Sequence, residues 1–177
     1  MVEQGIWFKV FTVYQKDPRL LSEWVEVVRS DVEQALEVAR GLTEAEAVPD
    51  AVTLGFSPQI LLAAAAVRYP RGLSVVTSPE VAEGSVPPAR FSHELLKALS
   101  ETGFISDVLV VPMAPKPTLP PPRVVAEVRE VIESISPKAL DISGGTQLVA
   151  IAAAESGAAL TYTYPLGKVV RIFLVRP

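Results

Sequence analysis

Two glycine-containing segments carry the residue types that hold anions through the protein backbone. Positions 54–58 read LGFSP and positions 141–146 read DISGGT. Each segment follows a short apolar run and precedes a helical pattern, so each is a strand-to-helix turn. Glycine lets a backbone approach a ligand closely, and the first turn of a helix offers free N–H groups and a positive dipole end. With hydroxyls from Ser57, Ser143 and Thr146, the two turns have the make-up of a metal-free phosphate cradle.

The familiar motifs of phosphate and acyl chemistry are missing from both segments. The chain has no GxxxxGK[ST] and no GxGxxG, and the glycine that would make Ser57 a nucleophile elbow is absent. Cys is absent and His93 is the single histidine, which excludes thiolate and multi-histidine metal chemistry and argues against a serine hydrolase. We therefore predict no metal and no cofactor, and we expect His93 to be a surface or capping residue.

Each of these turns also has a purely structural interpretation. Ser57 could cap a helix whose first residue is Pro58, and Asp141 could bond only the amides of its own turn. A phosphoribosyltransferase loop also has acids, then Thr-Gly-Gly-Thr, then a helix, but here Asp141 is the only acid before the glycines. Two alternatives therefore stay open: a phosphoribosyltransferase-like or other small-nucleotide enzyme, and an interaction domain in which both loops are only turns.

Composition sets limits on the class of protein. The 177 residues are 49% hydrophobic and 20% charged, which predicts a folded chain with a large core. A net charge of −4 argues against duplex DNA as a partner, because phosphate neutralisation needs clustered Lys and Arg. The lack of Asn and Cys, together with 16 Pro, suggests a thermophilic source. We find no signal pattern and no apolar stretch of membrane-spanning length, so we expect a cytoplasmic protein without a membrane partner.

Short apolar strands alternate with helices from residue 51 to residue 177. The predicted strands are Ala51–Leu54, Leu73–Thr77, Val108–Pro112, Ala139–Ile142, Ala159–Thr163 and Val169–Val175, and the predicted helices cover about 59–68, 91–101, 123–135 and 146–156. Such alternation predicts an α/β fold of the Rossmann-like, doubly wound type: a mainly parallel sheet with helices on both faces. In the common strand order 3-2-1-4-5, the first and fourth strands are neighbours where the order reverses, so the two glycine turns would flank one crevice.

Residues 1–50 form a predicted extension that packs on this core. We expect a strand at Ile6–Tyr14 that is covered on both sides, because both of its faces are apolar, and that extends the sheet at an edge. One long amphipathic helix is predicted to follow from Pro18 to about Gly41. The apolar stripe of that helix includes Trp24, which we expect in the core. Residues 43–50 are predicted to be a polar connector. A Pro-rich segment at 114–122 is predicted to be a stiff polyproline-like loop, either a lid over the crevice or a rigid spacer.

The two glycine turns resemble the signature segments of the CARF domain, the Rossmann-like sensor of type III CRISPR systems. That family typically opens with a turn like Leu-Gly-Thr-Ser-Pro, which positions 54–58 match except at Phe56. Its fourth strand typically ends in Asp-hydrophobic-Thr-Gly-Gly-Thr-Lys, and positions 141–147 here read DISGGTQ. The resemblance covers about residues 51–177, in the same order and spacing, and leaves the first 50 residues outside it.

The resemblance implies a two-fold homodimer that binds a cyclic oligoadenylate, most simply cyclic tetra-adenylate, across the dyad. The implied ligand-binding residues are those of the two turns: Gly55, Phe56, Ser57, Pro58, Ser143, Gly144, Gly145, Thr146 and Gln147. Because the chain stops after the closing strands, the resemblance suggests a stand-alone protein, either a sensor acting in trans or a metal-independent ring nuclease. It does not decide whether the chain is an enzyme.

The ring-nuclease interpretation depends on a cation near the scissile phosphate. In such enzymes the 2′-hydroxyl of the ligand attacks the adjacent phosphorus, and the protein contributes positioning and charge stabilisation. Gln147 stands where the family has Lys, and Gln carries no charge, which weakens the case for cleavage more than the case for binding. Ser57 and Lys168 are the candidate catalytic residues, and Arg171 or Arg68 could also supply charge, although each is more simply a solvated surface cation.

Overall fold

The structure, a computed structural model, describes residues 18–166 and 169–177. Its helices are α1 (Pro18–Ser30), α2 (Val32–Gly41), α3 (Pro58–Arg68), α4 (Pro79–Glu83), α5 (Arg90–Glu101), α6 (Pro121–Ile135) and α7 (Gln147–Glu155), with a 3₁₀ turn at Pro87–Ala89. Its strands are β1 (Thr43–Ala45), β2 (Ala51–Leu54), β3 (Leu73–Thr77), β4 (Ile105–Val110), β5 (Ala139–Asp141), β6 (Ala159–Leu166) and β7 (Val169–Arg176). The predicted strand at Ile6–Tyr14 lies outside the described residues.

The strands form one seven-stranded sheet in the order β1-β7-β6-β5-β2-β3-β4. All pairings are parallel except the hairpin between β6 and β7. Counted from β2, this is the order 3-2-1-4-5, so β2 and β5 are neighbours where the chain reverses its direction of travel across the sheet. The Rossmann-like α/β fold with a mainly parallel sheet is confirmed.

Helices cover both faces of the sheet, as the continuous apolar runs in the strands require. On one face, α2, α3 and α5 pack on Val52, Leu54 and Val75. On the other face, α6 and α7 pack on Val76 and Leu140. The helix α3 is nearly all Leu and Ala and is buried over most of its length. β2 and β5 are packed between these two apolar layers, and both glycine turns leave from those strands.

The N-terminal part of the described chain differs from the prediction in two respects. The single long helix is wrong: the chain breaks at Asp31, whose extended backbone (φ −154°) ends α1 and whose carboxylate accepts the Gln34 amide at 3.0 Å to begin α2. The polar connector is also wrong in part, because Thr43–Ala45 forms the strand β1, paired in parallel with β7. The side chain of Trp24 lies outside the described part of α1.

The Pro-rich segment is not an extended polyproline loop. Lys116 and Leu119 exchange backbone hydrogen bonds of 3.1 and 3.0 Å, which close a tight turn over Pro117 and Thr118. Helix α6 then begins at Pro121, earlier than predicted, because proline suits the first helical position. The segment is therefore a compact turn that follows β4, and it places Lys116 at the carboxyl edge of the sheet.

Candidate functional site

The two glycine turns meet at the carboxyl ends of β2 and β5. The ladder between these strands is short, with only Ala51 opposite Leu140 and Val52 opposite Asp141. Beyond it, the buried Thr53 hydroxyl donates to the Asp141 carbonyl at 3.0 Å and ties the diverging strands together. The chain then opens into the turns that lead to α3 and α7. This is the position at which open α/β sheets bind ligands.

Glycine is required here because the two turns pack backbone against backbone. A Cβ added to Gly55 would lie 2.3 Å from the Gly144 carbonyl oxygen, and one added to Gly144 would lie 2.1 Å from the Thr53 carbonyl oxygen. A Cβ on Gly145 would lie 2.7 Å from a methyl group of Val149 in the following helix. The glycines therefore allow the turns to touch each other and their own helix, which brings residues 55 and 144 together from distant parts of the sequence.

Asp141 is fully buried beneath the second turn and organises it. Its Oδ1 accepts the Ser143 amide at 3.0 Å and the Ser143 hydroxyl at 2.6 Å. Its Oδ2 accepts the hydroxyls of Thr161 at 3.0 Å and Thr163 at 2.8 Å on β6. Burial raises the pKa of the Asp141 carboxyl above its ordinary value, and these four hydrogen bonds act in the opposite direction. Asp141 is a positioning residue with both oxygens occupied, and it bonds its own turn as the sequence predicted.

Three hydroxyls, those of Ser57, Ser143 and Thr146, were predicted to bind a ligand, and two of them make hydrogen bonds within the protein. Ser143 Oγ donates to Asp141 and accepts the Thr163 amide at 2.5 Å. Thr146 Oγ1 donates to the Met113 carbonyl oxygen, which links the second turn to the segment after β4. Ser57 occupies the N-cap position of α3 ahead of Pro58, as predicted, but its side chain makes no capping hydrogen bond.

Backbone amides at the start of α7 are open donors at the site. Thr146 is the N-cap residue but its side chain does not cap the helix. No hydrogen bond within the described residues uses the amides of Gln147 and Leu148. The Gln147 side chain is exposed at the same helix start. These groups, with the positive end of the α7 dipole, are what the second turn offers to an anion.

A cavity of about 380 Å³ lies beside the joined turns. It is lined from the ends of four parallel strands, by Gly55, Phe56, Ser78, Pro79, Glu80, Val86, Pro112, Met113, Ala114, Lys116, Gly144, Gly145 and Thr146. Its volume lies within the range of about 300–1,000 Å³ typical of small-molecule sites. The apolar side chain of Phe56 stands at this cavity and is 45% exposed. The cavity is thus mainly apolar, with a few polar groups at its margins.

Sequence reasoning named no individual cavity residue after β3 or β4, although one of its two interpretations of residues 114–122 was a lid over the crevice. Ser78 and Pro79 repeat the pattern of Ser57 and Pro58: a strand, then a serine N-cap and a proline at the first helical position, here at the start of α4. That repeated pattern was a usable signal for a third strand-to-helix turn at the same edge. Nothing in the sequence alone places Lys116 beside it, because the Pro-rich segment folds back only through its own turn.

Glu80 and Lys116 are the ionisable side chains among the residues that line the cavity. The pKa of the Glu80 carboxyl is lowered, first because its own backbone amide donates to it. The Ser78 hydroxyl and the positive charge of Lys116 lower it further, while partial burial acts in the opposite direction. Glu80 is therefore an anion at neutral pH, and Lys116 lines the same cavity.

The structure brings together some of the predicted residues and separates others. Gly55, Phe56, Gly144, Gly145 and Thr146 line the cavity. Ser57, Pro58, Ser143 and Gln147 belong to the same two turns but do not line it. Lys168 lies outside the described residues, so its proposed catalytic role stays a prediction.

The other cations considered in the sequence have partners away from the cavity. Arg68 ends α3 at the far edge of the sheet and donates to the Gly72 carbonyl at 3.0 Å. Arg171 pairs with Glu46 at 3.1 Å and lies over the Phe173 ring. The Nδ1 of His93 lies 3.1 and 3.0 Å from the carbonyl oxygens of Val81 and Ala82, so His93 caps the end of α4. The capping role predicted for His93 agrees with this geometry.

The chain matches no protein-family model, and no curated protein matches it. In the part of the chain that the structure describes, no helix is long and apolar enough to cross a membrane. The described His, Asp and Glu side chains form no group of three or more placed to hold a metal ion.

Proposed function

We propose that this protein is a CARF-like nucleotide-binding protein whose ligand is a cyclic oligoadenylate, most simply cyclic tetra-adenylate. The ligand would lie at the carboxyl edge of the sheet, against the glycine turns of two protomers related by a two-fold axis. The observation that carries the proposal is the contact between the Gly55 and Gly144 turns at the reversal point of the sheet, beside an open cavity.

The chemistry of this edge supports a phosphodiester ligand. The first turn of α7 presents open amides at the end of a helix whose dipole favours negative charge. The adjoining cavity is apolar enough to take the flat faces of bases, with Phe56 exposed at its side. A ligand that joins anionic linkages to aromatic bases uses both features at once, which a simple inorganic anion does not.

Asp141 argues against the phosphoribosyltransferase alternative. That chemistry needs acidic side chains that face a magnesium-bound pyrophosphate. The one acid before the glycines is fully buried, and both its oxygens accept hydroxyls or an amide of the protein itself. The carboxylate therefore serves the architecture of the turn.

A thermal-shift experiment tests the proposal. The chain would be melted with cyclic tetra-adenylate, with linear tetra-adenylate, and with phosphoribosyl pyrophosphate plus Mg²⁺. At a ligand concentration 100 times Kd, binding adds about 2.7 kcal/mol. For a chain of this size that corresponds to a rise in Tm of about 5–11 °C. We expect this rise with the cyclic ligand.

Two exposed apolar side chains provide a matched pair of variants. Phe56→Ala removes an aromatic face at the cavity, and Ile151→Ala removes a similarly exposed side chain from α7, outside the cavity. We expect Phe56→Ala to reduce the ligand-induced shift and Ile151→Ala to keep it. A shift with phosphoribosyl pyrophosphate and Mg²⁺ alone would favour the transferase alternative, and no shift with any nucleotide would overturn the proposal.

Cleavage and assembly are separate steps of the same experiment. Calorimetry should give one cyclic ligand for two chains, as a shared dyad site requires. Incubation of the ligand with excess protein in EDTA, followed by chromatography, distinguishes a sensor from a ring nuclease. Intact ligand after hours at high temperature identifies a sensor, in keeping with Gln147 at the family's lysine position.

A further inference from the structure

We propose that the cavity beside the glycine turns is a nucleobase pocket in which Glu80 and Lys116 read the hydrogen-bonding edge of an adenine. The choice of adenine rests on the proposed function, whereas the assignment of a base pocket rests on the cavity itself. The pocket lies largely outside the two turns that the sequence resemblance marks, because most of its lining comes from the segments after β3 and β4.

The walls of the cavity suit a planar, neutral group. Phe56 offers an exposed ring on one side, and Val86, Pro112 and the buried Met113 supply further apolar surface. Stacking of a base on an aromatic side chain contributes about 1–3 kcal/mol. A phosphate would gain nothing from such walls, and Glu80 with Lys116 offers no net positive charge to attract it. The anionic part of a nucleotide is therefore directed to the amides of α7 and its base to this cavity.

The backbone that carries Glu80 is held in place at both ends of the short helix α4. At the start of α4, Ser78 Oγ accepts the Val81 amide at 3.4 Å. At its end, Gly84 adopts the left-handed conformation (φ 63°) and His93 donates to the last carbonyls. The backbone at Glu80 is consequently fixed at the cavity wall, and its carboxylate supplies an acceptor there.

Lys116 is placed by the tight turn that it closes with Leu119. Its ammonium group carries only donors, and the Glu80 carboxylate, when ionised, carries only acceptors. The two side chains thus supply the cavity with one acceptor and one donor and no net charge. The Watson–Crick edge of adenine presents the complementary pair, an amine donor at N6 next to an acceptor at N1.

Binding of mononucleotides to the full chain tests this assignment. Calorimetry would compare adenosine 5′-monophosphate with purine riboside 5′-monophosphate, which lacks the N6 amine, and with guanosine 5′-monophosphate. A hydrogen bond to a charged group contributes about 1.5–3 kcal/mol, so loss of the amine should weaken binding by about 10–140-fold. We expect adenosine monophosphate to bind more tightly than both other nucleotides.

Substitution of each charged residue should change the nucleotide affinities in a different way. Glu80→Met should remove the difference between the adenine and purine nucleotides, because the acceptor for N6 is gone. Lys116→Met should weaken both nucleotides equally, because both keep N1. Glu83→Met on the same helix and Lys97→Met on α5 are controls, since both side chains are exposed and neither lines the cavity. The Tm of each variant without ligand confirms that it is folded.

The outcomes separate this inference from the proposed function. If cyclic tetra-adenylate binds but Glu80→Met leaves the preference for the N6 amine unchanged, the base pocket is wrong and the proposed function stands. If adenosine monophosphate shows the Glu80 signature but the cyclic ligand does not bind, the pocket stands and the proposed function fails. A preference for guanosine monophosphate would overturn the adenine assignment. A Kd above about 10 mM for all three nucleotides would overturn the pocket.

Discussion

Replacing Gly144 by alanine should destabilise the fold, because the glycine turns touch through their backbones. The added Cβ would lie 2.1 Å from the Thr53 carbonyl oxygen and 2.9 Å from the Gly55 amide nitrogen. Ordinary contact for a Cβ begins at 3.4 Å, so one of the two turns must move by about 1 Å. Both neighbours are backbone atoms of the buried β2 region and cannot rotate away.

The expected loss of stability follows from the cost of overpacking a rigid site. Such substitutions cost about 1–3 kcal/mol. For a chain of this length, each kcal/mol lowers Tm by about 2–4 °C. We expect Gly144→Ala to lower Tm by about 2–12 °C in thermal unfolding followed by circular dichroism. Displacement of the turns should also weaken binding of cyclic tetra-adenylate.

Gly41→Ala is the matched control. Gly41 ends α2, and a Cβ added there would meet nothing within 4 Å. Alanine restricts the unfolded chain more than glycine does, so this variant should be unchanged or more stable by up to about 1 kcal/mol. If Gly144→Ala has the same Tm as the wild type, or if both variants lower Tm equally, the backbone contact between the turns is refuted.

Three further variants test the hydrogen bonds that hold the site and the N-terminal helices. Ser143→Ala should lower the free energy of unfolding by about 1–3 kcal/mol, because it leaves the buried Thr163 amide and the Asp141 carboxylate short of a partner. Ser134→Ala, on the exposed face of α6, should change this free energy little. Equal losses for the two variants in urea unfolding would contradict the expectation. Asp141→Asn removes a carboxyl group whose pKa is raised in the folded state, so the folded wild type binds that proton more tightly than the unfolded wild type does. The free energy of unfolding of the wild type, relative to that of the variant, should therefore fall as pH rises from about 4 through the raised folded-state pKa. A relative stability that rises with pH over this interval would contradict the assignment. Arg40→Met should lower the free energy of unfolding by about 1–3 kcal/mol, because the Arg40 guanidinium donates to two carbonyls at the end of α3 at 2.8 Å each. Arg71→Met, at an exposed site, is its control in the same unfolding assay.

The sheet and the meeting of the two turns could be predicted because each depends on a local signal and one general rule. The run at 51–54 is apolar on both faces, and a glycine turn and a helical pattern follow it. The same sequence of signals recurs at 139–147. Right-handed crossovers and the usual strand order then leave few arrangements, and those arrangements place the turns side by side.

Other elements gave no local signal strong enough to predict them. The apolar stripe of α1 and α2 continues across Asp31, so its periodicity does not register the break. The strand β1 is three residues long, polar and largely exposed, and it exists because β7 offers a free edge. The cavity pair Glu80 and Lys116 depends on two loops that only the assembled sheet brings together.

The central claim is that the edge formed by the Gly55 and Gly144 turns binds a nucleotide. The most direct measurement is a titration of the ¹⁵N-labelled chain with cyclic tetra-adenylate, followed through the backbone amide resonances. The account predicts that the largest changes fall on the amides of Gly55 and of 144–148, with saturation at one ligand for two chains. Unchanged resonances at these positions under saturating ligand, or changes confined to another part of the sheet, would contradict it.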